Sequence, residues 1–598
     1  MNSPFASAFP RIALRRSLTA ALLLLAALLG RLPEAAAQTA PAFTKIIIFG
    51  DSLSDVGNVR DRMQAKFLIS YPGGDFNYSD GRFTNSSDTI PSSQNFAGVW
   101  HEQLARTFLS LPAATGSLRG GLDYAFGGAT TENGSSDRTV FDNPAPFAGG
   151  NNTITIDNVG RQIDRYLNEQ TIDPAALYVI WGGGNDLFDD ASAANVTATS
   201  TRVVTNINRL VNAGAKYIVV PNVPPLGGVP LYANDEARQN ALDRASSDYR
   251  SQLNADIDAD GLLYVGNNPP SIYRVDIWSA FVRFVIDPPR YGFTDILHSA
   301  KGLSSANPDQ YLFWDDIHPT TAGHYQVANQ AYKTITDAIV PSGRAQNIST
   351  RAAVSGGENV AIGGFIIRGT EPKRVVLRGI GPTLSASGVA RALPDPAIEL
   401  FDSGRTSLAA NDNWRDTQAA EIAATGLGPQ NDFESAIVAV LNPGAYTVVM
   451  SGANGSSGVG VVEAYDLQPG NGSTLANVST RGAVGVGEDV IIGGIIIGSG
   501  GEAITVVRAI GPSLASAGIA NPLLDPVLEL YNEDGVRIGA NDDWRQGQPA
   551  AVKAAVLAPL DDREAVIAAS LPPGRYTAVV QGKNGATGVA VVEVYQVQ

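Results

Sequence analysis

The first half of the chain alternates short, unbroken apolar runs with stretches of helical period. Ile46–Phe49, Leu177–Trp181 and Tyr217–Val220 each run for four or five residues without a charged interruption. A strand with one wet face would alternate apolar and polar positions. These runs therefore predict strands covered on both faces, as in a parallel sheet. Between the second and third runs, Val203, Ile207, Leu210 and Val211 recur at helical spacing, and Gly214 follows as a stop signal. "QIDRYLNEQ" (162–170) and "HEQLARTFLSL" (101–111) read as further covering helices. Strand, helix, strand in this order predicts an α/β domain over residues 44–338.

From residue 348 the pattern changes. "VAIGGFII" (360–367) and "AYTVVMSG" (445–452) are short β-rich runs cut by glycine. Moving residues 348–468 forward by 130 positions lays them on 478–598 without a gap. "ANDNWR" (410–415) falls on "ANDDWR" (540–545), and "PGAYT" (443–447) on "PGRYT" (573–577). This duplication predicts two repeats, 348–467 and 478–598, joined by a linker at 468–477, and their short strands with frequent turns favour an all-β sandwich over a barrel. Trp414 and Trp544 occupy equivalent places and are expected in packing, against a sugar-stacking role. The "NDNW" tetrad offers one acid, so a turn bonded to its own backbone is favoured over a calcium loop.

A chain of 598 residues exceeds what one core serves, in agreement with several domains. The formal charge of -16 argues against nucleic acid as a partner. Arg11, Arg15 and Arg16 precede the apolar stretch "SLTAALLLLAALLG", and "EAAAQ" offers a small-residue cleavage site after Ala37. That run is shorter than the ~20 residues of a membrane span. Residues 1–37 thus read as a signal peptide and the chain as secreted, whether to the periplasm, the cell surface or the medium. With no cysteine anywhere, disulfides, thiol catalysis and Cys-ligated metals are excluded.

The first apolar run stops at Gly50-Asp51-Ser52, which lifts a hydroxyl at a strand end. A serine needs a base, and the base an orienting acid. The chain has four histidines, at 101, 298, 318 and 324. His318, in "LFWDDIHPTTAG" (312–323), closely follows the acid pair Asp315-Asp316. Asp315, three residues before it, is favoured as the orienter over Asp316. Donors for a developing oxyanion are the Ser52 N–H, Gly128 in "YAFGGAT" (124–130) and Asn185 in "GGGND" (182–186). Asp186 is expected to fix its loop.

"FGDSLSD", "FGGAT", "GGGND" and "DDIHP", in this order, resemble the sequence blocks of the GDSL lipases and esterases, the SGNH hydrolase superfamily. "DGRFTNSSD" (80–88) and "VPNVPPLG" (220–227) resemble segments that accompany those blocks. The resemblance covers about half the chain. It implies a three-layer α/β/α domain around a parallel sheet, with Ser52 as nucleophile, His318 as base, Asp315 as orienter, and Gly128 and Asn185 in the oxyanion hole. Gly127 is the neighbouring alternative to Gly128. It also implies ester hydrolysis through an acyl-enzyme, with no cofactor and no metal. The expected substrate is a lipid, a short-chain ester or an acylated carbohydrate. Carbohydrate deacetylation and lipid acyl transfer are the alternative activities. A surface-binding protein with a silent hydrolase domain is the alternative of another class. Polymer or cell-envelope contact is the expectation for the repeats.

Overall fold

In a computed structural model of the protein, residues 41–85, 96–139, 153–261, 269–303, 307–336, 344–355, 360–469, 472–487 and 489–597 are described. The leader read in residues 1–37 lies outside them. The chain divides near residue 340 into an α/β unit and a β unit.

The α/β unit is built on four parallel strands, β1 (Ile46–Gly50), β2 (Leu177–Trp181), β3 (Tyr217–Pro221) and β4 (Ser271–Val275), hydrogen-bonded in that order. β1 and β2 are buried at every position, as their unbroken apolar runs require. Alternate residues face opposite layers. Ile47, Phe49, Tyr178 and Ile180 pack on α2 (Val159–Glu169), α4 (Ala193–Ala213) and α5 (Glu236–Gly261). Ile46, Ile48, Leu177 and Val179 pack with Trp100, Leu104 and α7 (Thr321–Ile335). The result is the three-layer α/β/α arrangement, completed by α1 (Asn58–Phe67), α3 (Gly184–Asp189) and α6 (Ile277–Ile286).

Two parts of this sheet carry no apolar-run signal. β4, "SIYRV", is only partly buried until Val275 and includes the exposed Arg274, so its pattern is not that of a central strand. Residues 122–126 extend the other edge. The Ile48 N–H donates to the Leu122 carbonyl, and the Tyr124 and Phe126 N–H groups donate to Ile48 and Gly50. This edge delivers the glycines at 127 and 128 beside the end of β1.

In the β unit the duplicated pattern is met in strand content, but the two copies are interlocked. β5 (Ala345–Val354), which opens the first repeat, pairs with β7 (Gly458–Asp466) of its own repeat and with β9 (Ile491–Ile497) of the second. β8 (Thr474–Val484), which opens the second, pairs with β10 (Gly588–Val597) of its own repeat and with β6 (Ala361–Arg368) of the first. The opening strands meet at Ala353–Ala483, and the Thr350 and Thr480 hydroxyls lie 2.8 Å apart. Leu475 of the second repeat packs into the core of the first. Thr474–Asn477, assigned to the linker by composition, are thus strand residues. A duplicated sequence encodes the same pairing preference twice and says nothing about which copy a strand pairs with.

Trp414 and Trp544 are buried, with Arg415 and Arg545 over their rings, in agreement with packing. Asn411 and Asn541 donate to the carbonyls of residues 413 and 543, as the turn reading of the tetrads requires.

Gly381 and its twin Gly511 make close backbone approaches. A Cβ at either would lie 2.1 Å from the carbonyl oxygen of Leu393 or Leu523. Gly511→Ala is expected to cost about 1–3 kcal/mol through forced backbone movement, read as a lower denaturant midpoint of the β unit.

Candidate active site

β1 ends where the chain cannot carry a side chain: a Cβ on Gly50 would lie 2.7 Å from the Trp181 carbonyl oxygen. Gln162 of α2 brackets this end. It accepts from the Gly50 N–H at 2.8 Å and donates to the Gly50 carbonyl at 2.9 Å. The Gly50 carbonyl is thus shared between Gln162 and the Phe126 N–H of the edge segment, and Ser52 follows in the turn.

The late segment approaches from the other end of the α/β unit's sequence. Trp314 donates its N–H to the His318 carbonyl at 2.8 Å, closing a turn just before α7. Inside the turn the Asp315 carboxylate accepts from the backbone N–H groups of Ile317 and His318 at 2.8 and 2.7 Å. It also faces His318 Nδ1 at 2.8 and 3.0 Å. The ring therefore presents Nε2 outward, 2.8 Å from Ser52 Oγ. Burial pushes the Asp315 carboxyl up, but the His318 charge and the hydrogen bonds from His318 and Tyr78 outweigh it and hold the group well below the usual carboxylate range. Phe83 stacks on the imidazole, with ring centres 5.0 Å apart.

The other histidines are elsewhere. His101 and His324 are buried, and burial pushes them down to about 4 and about 3. His101 bonds the Ser54 carbonyl, and His324 accepts from the Trp100 N–H. His298 is exposed beside Asp295. Asp316 bonds the Ser299 hydroxyl, at 2.9 Å, so Asp315 rather than Asp316 meets the ring.

Gly128 and Asn185 line the same cavity as Ser52 and His318. Of the paired glycines, Gly127 has its N–H taken by Asp55 at 2.9 Å. Gly128 has φ +81°, and among the described residues no hydrogen-bond acceptor holds its N–H. Asn185, at the start of α3, donates one amide hydrogen to the Ala129 carbonyl at 2.9 Å and leaves the second for a ligand. Asp186 fixes the two loops to each other. It accepts from the Thr131 N–H and hydroxyl and pairs with Arg202 at 2.9 Å.

The cavity measures about 340 Å³. Beyond its polar end the wall is apolar: Leu226, Val229, Ile277, Phe281, Phe284 and Phe313. Sequence reasoning missed this wall, because α6 reads only as a buried helix. It also missed Tyr78, which reaches Asp315 across 237 residues without any local spacing signal.

The profile of the GDSL-like lipase/acylhydrolase family matches residues 46–331, the segment that carries all of these groups. Residues 46–331 are a GDSL-family domain. The domain is that of an ester-hydrolysing enzyme. A phosphatidylcholine-sterol acyltransferase of Aeromonas hydrophila is 26% identical over 351 residues, covering 50% of this chain and 91% of that protein. Esterase EstA of Pseudomonas aeruginosa is 27% identical over 325 residues, covering 50% of this chain but only 48% of its own length. A solved member of the lipolytic G-D-S-L family from Veillonella parvula aligns with 48% of this chain and 96% of its own, at 12% identity and a TM-score of 0.26.

Asp51, immediately before the serine, is buried in this GDSL domain. Burial pushes its carboxyl up to about 6, against the pull of the Leu53 N–H and the His318 charge. A raised folded-state pKa favours the protonated form. Its contribution to stability is therefore full below the unfolded value of 3.8 and is lost as pH rises through about 6. The loss amounts to about 3 kcal/mol. Asp51→Asn should flatten the fall in unfolding free energy between pH 4 and pH 7 by that order, measured by urea titration.

Proposed function

We propose that the chain is a secreted serine esterase or lipase whose α/β unit cleaves carboxylic esters of apolar acyl chains. The observation that carries this reading is the 2.8 Å contact of Ser52 Oγ with His318 Nε2, with Asp315 behind the ring. In this reading the Ser52 hydroxyl gives its proton to Nε2 as Oγ attacks the ester carbonyl. Asp315 steadies the imidazolium, as buried acids in such triads do. The Ser52 and Gly128 N–H groups and the Asn185 amide stabilise the oxyanion, inside a cavity whose apolar wall strengthens each hydrogen bond. The alcohol leaves with the proton from His318, and water repeats the sequence on the acyl-enzyme. Export rests on the composition of residues 1–37.

The apolar wall supports an acyl chain over an acetyl group as the substrate's acid part. A small, polar pocket would suit an acetylated carbohydrate better. Transfer of the acyl group to an alcohol in place of water is the second reading. It is favoured by the similarity to the Aeromonas acyltransferase over most of that protein. Intact contacts among Ser52, His318 and Asp315 weigh against a silent domain.

Ser52→Ala is expected to abolish hydrolysis of nitrophenyl esters while leaving the unfolding midpoint within experimental scatter. Turnover near that of the unaltered protein would sink the nucleophile assignment. Asn185→Ala should lower kcat by about a hundredfold to a thousandfold, the usual effect of removing one oxyanion donor. Along a series of nitrophenyl esters, kcat/KM should rise by about fourfold for each methylene added beyond acetate until the cavity is full. A maximum at acetate would instead favour the deacetylase alternative.

A further inference from the structure

Asp315 has a third kind of partner besides its turn and its histidine. The Tyr78 hydroxyl donates to Asp315 Oδ2 at 2.7 Å, on the same oxygen that faces His318 Nδ1 at 2.8 Å. Oδ1 is committed to the two backbone N–H groups of the turn. The backbone thus fixes one end of the carboxylate, and Tyr78 joins His318 on the other. Tyr78 is only 5% exposed, so water does not replace this donor. Its ring is held edge-on by Tyr71 and Phe83, with centroids 5.6 and 6.1 Å away, and Lys301 Nζ sits over its face at 3.7 Å. Burial and the neighbouring Asp315 charge push the phenol strongly up, which keeps it a donor at every working pH.

The same stretch of chain braces the rest of the turn. Phe83 stacks on the His318 ring, the Thr84 hydroxyl donates to the Pro319 carbonyl at 2.9 Å, and Asn85 Oδ1 accepts from the Thr321 N–H at 2.7 Å. Residues 78–85 therefore touch the acid, the base and the two residues that launch α7. None of these contacts reaches Ser52.

We propose that Tyr78 is a positioning residue for the acid–base pair, its hydroxyl locking the rotation of the Asp315 carboxylate that orients His318. Hydrogen bonds to a buried charge are the strong ones, and the lock is lost if the hydroxyl is removed. The inference rests on the hydrolase reading of Ser52, His318 and Asp315.

Tyr78→Phe keeps the ring and its packing and removes only the donor. In the full-length protein, kcat for a nitrophenyl ester should fall by about tenfold to a hundredfold, with KM changed less than twofold. The rate of Ser52 labelling by a fluorophosphonate, which does not depend on filling the acyl wall, should fall by a similar factor. The thermal midpoint should hold to within a few degrees. An unaltered kcat and labelling rate, or a loss confined to KM, would overturn the proposal. Ser52→Ala is measured alongside. If that variant is inactive while Tyr78→Phe is normal, the positioning role alone falls. If Ser52→Ala remains active, the hydrolase reading falls and the role of Tyr78 with it.

Discussion

Ser52 and His318 are 266 residues apart along the chain and 2.8 Å apart in the fold. One residue sits on a turn after the first strand, the other on a turn before the last helix of the α/β unit. Backbone hydrogen bonds close each turn at its base: Ser54 and Asp55 donate to the Asp51 carbonyl, and Trp314 donates to that of His318. Side chains add to them: Gln162 brackets Gly50, Asp315 gathers the N–H groups of its own turn, and Thr84 and Asn85 tie down Pro319 and Thr321. A buried loop must satisfy its backbone groups somewhere. Here the partners are mostly carboxylates and amides, which also make the loops rigid.

Several acids share this task away from the chemistry. Asp55 takes the N–H groups of Gly57, Asn58 and Val59 at the start of α1, and also that of Gly127. Burial pushes Asp55 up to about 6 even so. Asp123 takes those of Val56 and Ala125, and burial, together with the Asp55 charge, raises it well above the ordinary value. These groups join the Ser52 loop to the glycine loop. The arrangement separates two roles of acidic residues in one small volume. Asp315 is held ionised by a partner that can carry charge, while Asp51, Asp55 and Asp123 are raised by burial.

In the β unit, order comes from pairing between copies. Each opening strand pairs with a strand of its own repeat and one of its twin, and Leu475 joins the core of the first repeat. Gly364 and Gly494 pair with Ser479 and Ser349 of the opposite opening strands, and a Cβ would meet the serine Oγ at 2.8 and 2.5 Å unless the hydroxyl turned away. The paired glycines in "IGGFII" and "IGGIII" thus make the crossings sterically open. Their place in the repeat was visible; their use was not.

The parts that local physics dictates could be read from residues alone. Unbroken apolar runs can only be strands covered twice, which is why β1, β2 and β3 were legible and β4, with Arg274 and a half-wet face, was not. An Asp three residues before a His in a tight turn meets the imidazole whatever surrounds it, so the Asp315–His318 pair was legible as well. The duplicated tail was visible because sequence similarity needs no fold. Tertiary structure decided what depends on distance across the chain: that Asp55 occupies the Gly127 N–H, that Tyr78 stands on Asp315, that α6 walls an apolar cavity, and that the opening strands pair across the two repeats. Periodicity along a chain records which face of an element is buried. It holds no record of which distant element does the burying, and the site is assembled from those distant elements.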